Sequence, residues 1–171
     1  MRELVIFGIL LLNLIVQSSI FPFIEVFHVK PDSLLSLTIS FALIAGNPTG
    51  VLIGFCGGLL QDIFFGNNLG LYTLQYMLVG YLVGLLHGKL YVDKIFMPIL
   101  VVIPANIVKQ IIMLLYNFFA QSGMPQDQVF FQAFVIETIY TIVLMPFIFS
   151  SIVKLYSYKF MRKKRNFPKT K

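Results

Sequence analysis

Lys109 and Glu137 are the only charged side chains set deep within the long apolar runs of this chain. An ammonium and a carboxylate inside hydrocarbon can do two things. They can pair and fix the register of two helices, or they can pass a proton or hold a substrate. A lone charge there costs about 3 kcal/mol or more, which a partner of opposite sign reduces. Asp62 is the third candidate. It is the only Asp, Glu, Lys or Arg between Asp32 and Lys89. It stands where one apolar run turns into the next, so its carboxylate can accept hydrogen bonds from turn N–H groups. No other constellation suggests chemistry. The acids are scattered, and no nucleophile, metal or phosphate motif is present. Cys56 is the single cysteine, so neither a disulfide framework nor a thiolate metal site is expected, and it reads as a small packing residue. These residues point to a non-enzymatic protein without a cofactor.

Membrane helices must position them. The chain has 171 residues, of which 58% are hydrophobic and 12% charged, against about 25% charged in a soluble domain. Leu4 to Ile24 is free of charge and long enough for a first span that is retained rather than cleaved. Asn13 and Gln17 lie four apart on one of its faces, as groups bonded to neighbouring helices. A loop, 25–32, follows, with His28 solvated and Asp32 or Ser33 capping the next helix. Ser33 to Gln61 is charge-free again. As one helix it would run about 44 Å, too long for a single span. Asn47-Pro48 offers a cap and a first-turn proline, so we read two short spans, 33–46 and 48–63, over one kinked helix. Further spans are expected at 69–88, 95–119 and 129–156. Lys109 and Glu137 then lie roughly 15 Å and 12 Å below the outer ends of the last two, which are antiparallel neighbours and can meet. The expected fold is all-α, a polytopic membrane bundle of six transmembrane helices with short second and third spans.

The net charge of +6 belongs to the end of the chain. Residues 159–171 contain Lys159, Arg162, Lys163, Lys164, Arg165, Lys169 and Lys171 and no acid. A basic cluster after an apolar run is a cytoplasmic stop signal and a contact for anionic lipid. No other feature supports a nucleic-acid role. We therefore expect a transmembrane domain, 1–158, and a basic cytoplasmic tail, 159–171. With six spans the N-terminus is also cytoplasmic. Lys89 and Lys94 then fall inside, and the loops 25–32, 62–68 and 120–128, each of net charge −1, fall outside.

Glycines mark two helix faces. Gly50, Gly54, Gly57 and Gly58 share one face of the third span, and Gly80, Gly84 and Gly88 recur every fourth residue in the fourth. Such faces serve close packing, inside the fold or against a partner helix. Between them lies Gly57-Gly58-Leu59-Leu60-Gln61-Asp62-Ile63-Phe64-Phe65-Gly66-Asn67-Asn68-Leu69-Gly70, continued by Leu71-Tyr72-Thr73-Leu74-Gln75-Tyr76 and Gly80-Tyr81. This segment resembles the signature of the MreD family of rod-shape-determining membrane proteins, and the length, short spans and basic tail resemble that family as well.

The resemblance implies a non-enzymatic scaffold or regulator of the bacterial cell-elongation machinery in the cytoplasmic membrane. Its implied partners are MreC, actin-like MreB filaments, and the glycan polymerase and transpeptidase of lateral peptidoglycan synthesis. It also implies a likeness in fold to the substrate-binding subunits of energy-coupling-factor vitamin transporters. Such a subunit is the alternative function, with Gln17, Asn67, Asn68 and Tyr72 as its polar groups. On the first reading Asp62 and the turn Gly66–Leu69 fix the junction of helices three and four. The glycine faces then shape a groove for a partner helix, so that Asp62→Ala or Gly54→Leu weakens MreC binding without changing topology.

Overall fold

A computed structural model describes residues 2–25, 29–65, 70–88, 96–120 and 127–157. All seven elements among them are helices: α1 (Arg2–Ser19), α2 (Phe21–Ile24), α3 (Ser33–Ala45), α4 (Asn47–Phe65), α5 (Leu71–Gly84), α6 (Phe96–Phe119) and α7 (Asp127–Ser157). Four stretches are long and apolar enough to cross a membrane: Glu3–Phe23, Asn47–Phe65, Phe96–Phe119 and Phe131–Ser157. Large apolar side chains such as Leu12, Leu52, Ile63, Phe96 and Phe147 cover their outer faces, as expected where lipid is the solvent. The protein is an all-α, polytopic membrane bundle.

α3 is its centre. Every residue from Ser33 to Leu43 is buried, and α3 packs against α1, α4, α5, α6 and α7. A helix apolar on all sides belongs in an interior. Leu35, Ile39, Phe41 and Leu43 fill that interior. Ser36 and Ser40 return their hydroxyls to the carbonyls of Asp32 and Ser36, so they bring no unpaired donor into it. At about 20 Å α3 is shorter than the bilayer core, and the helices around it rather than lipid cover its sides.

The break at Asn47-Pro48 is real. Gly46 adopts φ 83° between α3 and α4, a conformation that favours glycine. The Nδ1–H of His87 reaches back to the Leu43 carbonyl at 2.7 Å and closes the end of α3. Two expectations change. α4 continues to Phe65 and is itself of membrane-spanning length, so the third span is not short. The fourth span is shorter than expected: α5 ends at Gly84, and residues 85–88 are turns. Pro104 and Pro146 lie inside α6 and α7, where each removes one ladder hydrogen bond.

Candidate functional site

The first turn of α3 carries the centre of the site. Asp32 Oδ1 accepts the Leu35 N–H at 2.8 Å, an N-cap. Its other oxygen, Oδ2, accepts Lys109 Nζ at 2.6 Å and the Tyr76 hydroxyl at 2.8 Å. Lys109 also pairs with Glu137. The Asp32 N–H donates to Thr141 Oγ1 at 3.2 Å, and that hydroxyl donates to the Glu137 carbonyl. The cluster therefore ties together the start of α3, α5, α6 and α7. Lys109 and Asp32 are 8% and 6% exposed, a burial that only pairing sustains. The expected Lys109–Glu137 pair is present. The sequence offers Asp32 or Ser33 as the cap, at the end of the loop 25–32. Asp32 is the cap, but it is buried beside Lys109, because the start of α3 lies inside the bundle rather than at its rim.

Above the cluster opens a cavity of about 450 Å³. Glu137, with 22% of its side chain exposed, lies on its wall with Asp32, Lys109, Tyr72 and Gln75. Gln17 faces it too, whereas Asn13 donates to Ser33 Oγ at 2.8 Å. Among the described residues no group of three His, Cys, Asp or Glu side chains could hold a metal ion.

Asp62 has a different task. Its Oδ1 accepts the Tyr72 N–H at 3.0 Å, and its Oδ2 accepts the Thr73 N–H at 2.9 Å and the Thr73 hydroxyl. The first N–H groups of a helix have no partner within it. A carboxylate from α4 thus caps α5. Gly70, the residue before α5, has φ 95°, which explains a glycine there, since open space surrounds it.

The glycine faces meet one another. A Cβ at Gly58 would lie 2.6 Å from Thr73 Cα, one at Gly50 2.8 Å from the Gly80 carbonyl oxygen, and one at Gly84 2.5 Å from Asn47 Cα. Gly54 sits on the backbone of Tyr76, and Gly57 turns toward Leu34 of α3. Gly50, Gly54, Gly58, Gly80 and Gly84 are consumed by the contact of α4 with α5, and Gly57 by that of α4 with α3, so they form no open groove for a partner helix. Gly54→Leu would collide inside the fold, not at a docking surface. Gly66 and the basic residues Lys159, Arg162, Lys163, Lys164 and Arg165 lie outside the described residues.

Sequence reasoning missed Asp32 as a member of the charge cluster, along with Tyr76 and Gln75. One sign was available. Ser33, Ser36, Thr38 and Ser40 follow Asp32 in an otherwise apolar stretch, the composition of a helix packed on protein rather than lipid.

The family model described as rod shape-determining protein MreD matches residues 1–163. The chain belongs to the MreD family. No curated protein and no solved structure matches it. The match spans far more than the Gly57–Gly70 segment: it takes in Asp32, Lys109 and Glu137 as well. MreD membership gives the chain a part in determining rod shape.

Proposed function

We propose that the chain is a non-enzymatic scaffold of the cell-elongation machinery. It would bind MreC and help couple MreB filaments to the glycan polymerase and transpeptidase of lateral wall synthesis. The MreD match over residues 1–163 carries this reading and sets it ahead of the vitamin-transporter alternative. In this reading residues 1–158 form one transmembrane domain in the bacterial cytoplasmic membrane. The basic tail, 159–171, faces the cytoplasm, where MreB and anionic headgroups lie. The glycine faces are spent on internal packing, so the MreC contact falls on outward faces of the bundle.

The test is co-purification of the full chain from its native cells in mild detergent, with the co-eluting proteins identified by mass spectrometry. Recovery of MreC with the wall-synthesis enzymes is the expected result. Recovery of a transporter membrane subunit with its ATPases instead would overturn the reading.

A further inference from the structure

The cavity above the charge cluster has the size and the walls of a ligand site. Its volume of about 450 Å³ falls among pockets that enclose small molecules. Gln17, Gln61, Gln75 and Gln110, from α1, α4, α5 and α6, all line it. Amide groups within a membrane bundle need partners, because hydrocarbon supplies none. Gln75 is the informative one. It is 2% exposed, it lines the cavity, and its Oε1 has no hydrogen-bond partner among the described residues. A buried acceptor left so is unfavourable unless a donor arrives.

Charge narrows the class of donor. Asp32 and Glu137 bring two carboxylates to the wall and Lys109 one ammonium. Lys30, at the rim, is already paired with Glu25 at 3.7 Å. With Glu25 counted, the surplus among the described residues is negative and disfavours an anion, the more so where water is scarce. Tyr72 and Tyr76 stack at 6.3 Å with ring planes 18° apart, and with Phe134 they line the cavity with aromatic rings.

We propose that this cavity binds a compact ring compound, uncharged or singly cationic, whose amide or amine N–H groups bond to Gln75 and Glu137. The compound is a free solute or the headgroup of a lipid. The inference does not depend on which proteins the chain assembles with.

Two measurements on the full chain test it. Native mass spectrometry of protein extracted from its own membranes should show a bound adduct. An adduct carrying acyl chains assigns the headgroup source, and one without them assigns the free solute. Thermal unfolding in nanodiscs can be followed with a thiol-reactive dye at Cys56, the only cysteine. Nicotinamide and benzamidine, an uncharged and a cationic ring with N–H donors, should raise the melting temperature, and benzoate, the matched anion, should not. Gln75→Met removes the amide, and Ala133→Phe narrows the cavity without touching a charge. Each should raise the half-saturating nicotinamide concentration at least tenfold. If one variant fails to fold, the other reads the site alone. Absence of both an adduct and a shift, an equal response to benzoate, or unchanged binding in the folded variants would overturn the proposal.

Discussion

Asp32 uses its two carboxylate oxygens for two purposes, one to cap α3 and one to hold Lys109 and Tyr76. Only the first was legible in the sequence, since a cap is a local pattern and a pair 77 residues apart is not. Lys109 and Glu137 were legible because two opposite charges at matched depth stand out from apolar runs. Removing the ammonium alone, as in Lys109→Met, leaves two carboxylates facing each other in a buried site, and the expected loss is about 3–5 kcal/mol. Replacing Asp32 with Asn in the same chain should recover part of that loss. Denaturant unfolding of the single and double variants in detergent measures both, and additive losses would contradict the cluster. At Asp62 the expected effect is local. Asp62→Ala removes the acceptor of two helix-terminal N–H groups and a hydroxyl, at about 1–3 kcal/mol. Hydrogen exchange at Tyr72 and Thr73 should accelerate while the amides of α3 stay protected.

Helices rather than residues decide where substitutions are tolerated. α4 and α5 approach backbone to backbone through Gly50, Gly54, Gly58, Gly80 and Gly84, a contact that any side chain would push apart. Gly54→Leu should cost about 3 kcal/mol or more. Gly8→Ala is the control: α1 has open space there, and exchanging an interior helical glycine for alanine gains up to about 1 kcal/mol. Melting temperatures of the two variants should therefore move in opposite directions, and equal losses would contradict the packing. The glycine spacing showed that such faces exist, and Asn47-Pro48 showed where α3 gives way to α4. Neither showed that one face is the other's partner, because periodicity within a helix carries no information about what lies opposite. The same limit hid the interior position of α3. Its length suggested a thin span, whereas five surrounding helices make it a core.

For the molecule as a whole, hydropathy was enough to establish a polytopic helical bundle, and one segment with its glycines was enough to point to the family. The cavity was not legible, since its walls come from α1, α4, α5, α6 and α7, helices far apart in the chain. The basic tail predicts a sided arrangement. In a chain with Cys56 replaced by Ser, a cysteine at Ser157 should react with an impermeant thiol reagent only after the inner face is opened. A cysteine at Lys30 should react from outside in intact spheroplasts. The reverse pattern would invert the proposed topology.

The burial of α3 also bears on how the chain is made. At about 20 Å, the segment is short for a membrane span by itself. Its natural companion is α4, joined to it through the single residue Gly46. The two should leave the ribosome and enter the bilayer as a hairpin, and α3 should gain its last neighbours only when α6 and α7 have been synthesised. A nascent chain arrested before Phe96 would hold Asp32 still without its Lys109 partner.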